Sequence, residues 1–331
     1  MEKDSQRSDP PDRRRQTARL GAEFLLNTAR LVARAIDRDM LTALILLAIT
    51  RANMRDLAVD REASQPFAAL DTIAPDSLRR PISVYAVARE LRLPYESVRR
   101  HAAKLKAEGL CESVGRGVII PGRVFANASW MEATQENFES AVVLVNDAAT
   151  FGIVAPGPEG TAEPDVRRRV VWLTVDFFLS ALTLTGQPAG LDAMSVLVLR
   201  AIGLANVEHL ARSRELGAAF GGLTDIPRDE DRKPVSVYAI AKFLELPYET
   251  ARRITLRLVA LGFVERRAEG GLVVPSTVLG RPEVIAGFIE FAQIVELFLQ
   301  RLALAGVTPT RVRAKAVRSP ALRARMKASP T

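Results

Sequence analysis

Two arginine pairs, Arg99–Arg100 and Arg252–Arg253, are the residues whose type and spacing most clearly permit chemistry in this chain. A guanidinium presents a planar fork of donors that pairs bidentately with a phosphate, a carboxylate or the edge of guanine. Each pair follows a Tyr-Glu step, Tyr95–Glu96 or Tyr248–Glu249, and precedes a further cation, Lys104 or Arg257. Such a set binds an anion and performs no covalent step. The sequence offers no Gly-rich phosphate loop, no cluster of metal ligands and no nucleophile with a histidine beside it. His101 and His209 stand alone, and two lone histidines make no metal site. The single cysteine, Cys111, allows no internal disulfide, and its place at the start of an apolar run suits a buried position better than a redox role. Neither an enzyme nor a cofactor is expected.

Both arginine pairs lie in a duplicated segment. Residues 81–109 align with 234–262 at a spacing of 153, without a gap and with 16 of 29 positions identical. The register extends outward: Ala48, Ile49, Ala52, Asn53 and Leu57 fall on Ala201, Ile202, Ala205, Asn206 and Leu210. Phe24 falls on Phe177, Glu23 on Asp176 and Phe138 on Phe291, while Pro121 matches Pro275 after one inserted residue. A repeat of about 135 residues is a domain by size. Between the copies, Pro156, Gly157, Pro158, Gly160 and Pro164 cannot sustain a helix or a strand. The expected organisation is therefore a disordered arm (1–17), a first unit (18–151), a linker (152–169), a second unit (170–306) and a basic disordered tail (307–331).

Apolar periodicity predicts two helices at the start of each unit, 18–36 and 39–57 in the first, 170–185 and 191–216 in the second. Their wide apolar faces are expected to pack on the core of their own unit, with some surface left for contact between units or between two chains. Ser83 and Ser236 suit the N-caps of a short helix that ends near Leu91 or Leu244. A second helix starts at Pro94 or Pro247 and stops at Gly109 or Gly262. Two short apolar runs follow, 110–114 with 118–120 and 263–266 with 272–274, and glycines join them as a β-hairpin. An amphipathic helix closes each unit, 130–149 or 282–305, the second burying Phe288, Phe291, Leu297, Phe298 and Leu302.

Helix, turn, helix and hairpin in this order resemble the winged helix-turn-helix of bacterial transcription regulators, in the broad sense that embraces the MarR, GntR and IclR families. Ala88, Leu91, Val98 and Leu105 occupy the positions that clamp the two helices, with Ser97 and Arg100 at the polar places between. In the copy these are Ala241, Leu244, Ala251 and Leu258, with Thr250 and Arg253. The likeness spans about 45 residues of each unit. It departs at the turn position often held by glycine, which is Arg92 here and Glu245 in the copy, so a slightly wider turn is expected. The resemblance implies a mainly α fold with small β-hairpin wings: two tandem winged helix-turn-helix domains with flanking helices. It further implies that the second helix of each motif enters the major groove of double-stranded DNA. Tyr95, Glu96, Arg99, Arg100 and Lys104 would then face the groove, as would Tyr248, Glu249, Arg252, Arg253 and Arg257, with Arg116, Arg266 and Arg267 as wing contacts. Arginines on a surface helix are also ordinary solvated residues, and either one of the first pair could bridge Glu96 or Glu108.

Net charge does not decide the matter. Of the total of +8, residues 306–331 hold +7 and residues 1–19 hold +2, which leaves the body at −1. The tails suit sequence-independent phosphate contacts. The two second helices differ at His101, Ala102, Ala103 and Lys104 against Ile254, Thr255, Leu256 and Arg257. The leading expectation is thus a sequence-specific regulator that acts as a built-in dimer on two unlike half-sites. A protein-interaction subunit of the chromosome-segregation type and a plasmid replication initiator are the alternatives, since both also combine winged helices. The longest apolar runs, 40–49 and 170–185, fall short of the roughly 20 residues that span a bilayer, and no signal-peptide core follows the N-terminus. A cytoplasmic, nucleoid-associated protein without a membrane partner is expected. Its flanking helices offer a surface for a homodimer, and no effector can be named from the sequence.

Overall fold

The computed structural model describes residues 11–155, 165–211 and 220–309. In the first unit the chain forms α1 (Arg14–Ile36), α2 (Met40–Asn53), α3 (Arg55–Val59), α4 (Arg61–Ser64), α5 (Val84–Leu91), α6 (Tyr95–Ala107), β1 (Glu112–Val114), β2 (Gly117–Ile119) and α7 (Ala128–Thr150). The second unit repeats the order with α8 (Arg167–Thr183), α9 (Ala193–Ala211), α10 (Val237–Phe243), α11 (Tyr248–Ala260), β3 (Glu265–Arg266), β4 (Leu272–Val273), α12 (Ser276–Leu279) and α13 (Pro282–Leu304). The described chain is mainly helical and carries two small two-stranded antiparallel sheets.

Local chemistry explains the starts. Asp39 accepts a hydrogen bond from the Thr42 amide (3.1 Å), and its repeat mate Asp192 accepts one from Ser195 (2.8 Å), so each second helix opens on a carboxylate cap. Ser83 and Ser236 cap α5 and α10 through the amides of Ala86 and Ala239, both at 3.1 Å, as their types predict. Pro94 and Pro247 sit at the N-cap rather than inside the first turn, so α6 and α11 begin one residue later than expected.

Several boundaries differ from the expectation. Arg167 to Arg169, assigned to the linker, form the first turn of α8, with Arg168 buried. The helix foreseen over 39–57 breaks at Met54, and α3 carries its remainder. That foreseen over 191–216 is α9 up to Ala211, and 212–219 lie outside the described residues. Arg14 to Thr17, assigned to the disordered arm, form the first turn of α1, with Gln16 and Thr17 buried. The Arg15 amide donates to the Gly221 carbonyl at 3.0 Å, which ties this turn to the second unit. Val307, assigned to the tail, is buried, while 1–10 and 310–331 lie outside the described residues.

The flanking helices do more than cover their own unit. α1 packs on both α7 and α13, and α8 packs on both α13 and α7, so the two units are joined through a four-helix layer. At its centre the repeat mates Phe24 and Phe177 meet with ring centroids 5.8 Å apart. Phe298 stacks on Phe177 at 4.6 Å and tilts against Phe24 at 5.3 Å. Leu297, expected on this buried face, is 47% exposed, and Val295 and Leu299 are buried in its stead. The reason is angular: Phe291, Val295, Phe298 and Leu302 follow the three-four spacing of one helical stripe, and Leu297 falls outside it.

Polar contacts also cross the layer. Asn137 Nδ2 donates to Thr174 Oγ1 at 3.1 Å. Asp176 receives Arg51 from the first unit at 3.0 Å and Arg301 from its own at 2.6 Å. The Arg51–Asp176 bridge has no symmetric twin, because the mates of these residues are Leu204 and Glu23. α9 is long and apolar enough to cross a membrane, yet 67% of its apolar stretch, Ala193–Leu210, is buried within the fold. Cys111 is buried too, and burial pushes its thiol up to about 11, far from the acidity that a reactive thiolate needs.

Candidate nucleic-acid interface

The turn before each exposed helix is made by a side chain in the left-handed region. Arg92 has φ 56° and Glu245 has φ 53°, so each takes the conformation for which glycine is usually required. The turn is therefore not widened, contrary to the expectation; a non-glycine residue occupies the tight geometry. Arg92→Gly is expected to raise the unfolding free energy by about 0.5–1 kcal/mol in urea titration. A loss of stability would show that the Arg92 side chain contributes more than its backbone costs.

Beyond the turn, Val98, Ala102 and Leu105 bury one face of α6, and Ala251, Thr255 and Leu258 bury that of α11. The opposite face is open. Tyr95, Glu96, Arg99, Arg100 and Lys104 are all exposed, as are Tyr248, Glu249, Arg252, Arg253 and Arg257. Arg99 pairs with Glu96 at 2.9 Å, and Arg252 pairs with Glu249 at the same distance, so the foreseen bridge exists in both copies. Glu108 instead meets Arg38 at 3.1 Å. Arg100 and Arg253 make no ion pair among the described residues. One arginine of each pair is therefore oriented by a neighbouring carboxylate, while the other stands in solvent. Arg257 reaches Asp192 at 2.6 Å, which anchors α11 to the start of α9.

The hairpins pair Glu112 to Val114 with Gly117 to Ile119 and Glu265 to Arg266 with Leu272 to Val273. Each gains a further bridge from the segment before the first motif helix, Ile82 to Val118 and Val235 to Leu272. Arg116 and Arg266 project from these hairpins and are exposed. Arg267 is held closer, its amide donating to the Gly271 carbonyl at 3.1 Å. His101 packs against the Thr42 hydroxyl at 2.8 Å, and burial lowers its pKa while Asp39 opposes the shift. The Tyr95 ring lies 6.3 Å from that of Tyr85.

Two features escaped the sequence reading. Tyr85 and Tyr238 are exposed at 61% and 63%; Tyr85 extends the aromatic surface at Tyr95, and Tyr238 lies under Lys242 Nζ at 5.9 Å. Their retention in both copies on the outward side of the short helix is the signal that was present. The second feature is a pair of buried asparagines. Asn53 Nδ2 donates to the carbonyls of Arg80 (2.7 Å) and Val118 (3.2 Å), and its Oδ1 accepts from the Ile120 amide at 2.9 Å. Asn206 repeats this on Lys233 (2.9 Å), Leu272 (3.0 Å) and Val274 (2.9 Å). Each asparagine fixes its hairpin to the second helix of its unit, α2 or α9, and so sets the hairpin's position relative to α6 or α11. A second clamp is duplicated as well. Asp76 binds Arg79 Nε (2.8 Å) and the Gly122 amide (2.6 Å), and Asp229 binds the Ser276 amide (2.7 Å) with Arg232 Nε 3.3 Å away.

No protein-family model, curated protein or solved structure matches the chain. Among the described residues there is no group of three or more His, Cys, Asp or Glu that could hold a metal ion.

Proposed function

We propose that this chain is a double-stranded DNA-binding transcription regulator, built from two tandem winged helix-turn-helix units that act together as an intramolecular pseudo-dimer. The observation that carries the reading is the duplicated outer face: beyond a left-handed turn, α6 and α11 each present a Tyr-Glu step and an arginine pair to solvent. A helix offered in this way fits the major groove, with its N-terminal side chains nearest the base edges. Arg100 and Arg253 are the readers of guanine or phosphate, and the Glu96 and Glu249 carboxylates steady Arg99 and Arg252 beside them. Lys104 and the hairpin residues Arg116 and Arg266 reach the backbone phosphates. Because the two helices differ in sequence, the site is asymmetric, with two unlike half-sites.

Selection from a random duplex pool, followed by footprinting and anisotropy titration, tests this. Arg99→Ala plus Arg100→Ala is expected to weaken binding to the selected duplex by roughly 10- to 100-fold and to flatten the salt dependence. Protection at one half-site should vanish with Arg252→Ala plus Arg253→Ala while the other persists. Unchanged duplex binding by both double variants would exclude these faces as readers. In that case a protein partner of the segregation-subunit type becomes the better reading.

A further inference from the structure

A cavity where α1 of the first unit meets the second unit is not explained by the duplicate pattern. About 210 Å³ in volume, it lies between the first turns of α1, the middle of α9 and the start of α13. Phe263, Val274 and Phe288 give it an apolar wall, and Arg15, Arg200 and Arg232 enter it. Arg19 and Glu283 complete its charged lining, and Arg19 is paired with Glu23 at 2.7 Å.

The arginines are not equivalent. Arg232 has Asp229 beside it at 3.3 Å, and Arg15 donates to the carbonyls of Gly222 (3.3 Å) and Leu223 (2.6 Å). Arg200 has no carboxylate partner among the described residues. Its Nη2 donates to the Thr185 hydroxyl at 2.8 Å, and its guanidinium lies 3.5 Å from the centroid of the Phe291 ring. Its Nε is enclosed without any hydrogen-bond partner. Burial pushes this guanidinium down to about 9 with no acid opposing the shift. A cation without a counter-charge among apolar groups is costly, an aromatic face and one hydroxyl offset only part of that cost, and a well-packed apolar residue in its place is ordinarily at least as stable.

The first copy carries that apolar solution. The mates of Arg200 and Gly203 are Leu47 and Thr50, both buried. In the second copy the exchange to arginine supplies a charge, and the exchange to glycine removes a side chain from the same helix face. A Cβ placed on Gly203 would lie in ordinary contact with Val274 Cγ2 at 3.8 Å, so the position admits a side chain without a clash. The second copy thus brings a side-chain deletion and an unneutralised guanidinium to the same cavity.

We propose that this cavity binds a small amphipathic monocarboxylate, its apolar body against Phe263, Val274 and Phe288 and its carboxylate on Arg200. The volume is below the roughly 300–1,000 Å³ of drug-sized sites, which selects a short aliphatic or single-ring acid. The proposal concerns binding alone and stands whether or not α11 reads DNA.

Calorimetric titration of the full chain with hexanoate, phenylacetate and 4-phenylbutyrate, each beside its primary amide, provides the test. At least one acid is expected to bind ten or more times tighter than its amide. Arg200→Leu, which installs the first copy's residue, should abolish that preference without lowering the melting temperature. Arg200→Gln removes the charge with less change of shape and should do the same should the leucine variant misfold. Gly203→Leu should fill the space and weaken acid and amide alike. Absence of binding by every acid, equal binding of acids and amides, a preference that survives Arg200→Gln, or indifference to Gly203→Leu would each overturn the proposal.

Discussion

Phe177→Ala is expected to lower the unfolding free energy by about 3–5 kcal/mol in urea denaturation. Phe177 is only 3% exposed and lies within ring contact of Phe24, Phe291 and Phe298. Truncation removes the ring from the layer where the two units meet, and helices fixed on both sides cannot close the void completely. Because the lost contacts belong to α1 of one unit and α13 of the other, the unfolding curve should also broaden or split as the units melt less cooperatively. A loss below about 1 kcal/mol with a single sharp transition would show that the layer repacks around the missing ring, and that the units are coupled elsewhere.

The second large effect is expected at the hairpin anchors. Asn53→Ala should cost about 2–4 kcal/mol, because the Arg80 carbonyl and the Ile120 amide lose buried partners at once. Asn206→Ala should cost a similar amount through Lys233 and Val274. Hydrogen exchange separates this local effect from general loosening: the Ile120 amide should lose protection in the first variant and the Val274 amide in the second. Retained protection of both amides would mean that another group satisfies the strand, and the anchoring role would be withdrawn.

The repeat made much of this architecture legible. Matching serines before each short helix, prolines before each exposed helix and glycines after it mark local preferences that act within a few residues, and they emerged within one or two positions. Long-range partners were less accessible. Phe24 and Phe177 were aligned as mates, yet alignment does not say that mates touch; that follows from the way the flanking helices cross between units. Leu297 was placed in the core for its type, while its angle on α13 puts it in solvent. Asn53 and Asn206 read as two more conserved letters of the repeat, since nothing in a sequence shows that a side chain reaches a hairpin 65 residues away. Arg200 was lost within an apolar helix, though its mate Leu47 marked the position as one where the copies had parted. For the candidate interface, the outward positions of α6 and α11 followed from periodicity, whereas the Arg257–Asp192 anchor and the neighbouring Tyr85 needed the fold.

The Arg51–Asp176 bridge illustrates what fusion of two copies allows. In an assembly of two identical subunits every substitution is made twice, and a contact between unlike positions across the twofold axis appears as two or not at all. Here arginine stands at one position and leucine at its mate, so the bond forms once. Covalent linkage has released the halves from the obligation to match, and each can be tuned without compromising its partner. Stoichiometry follows from that freedom: a site created in one half is present once per chain, and its occupancy carries a direction that no symmetric pair could encode.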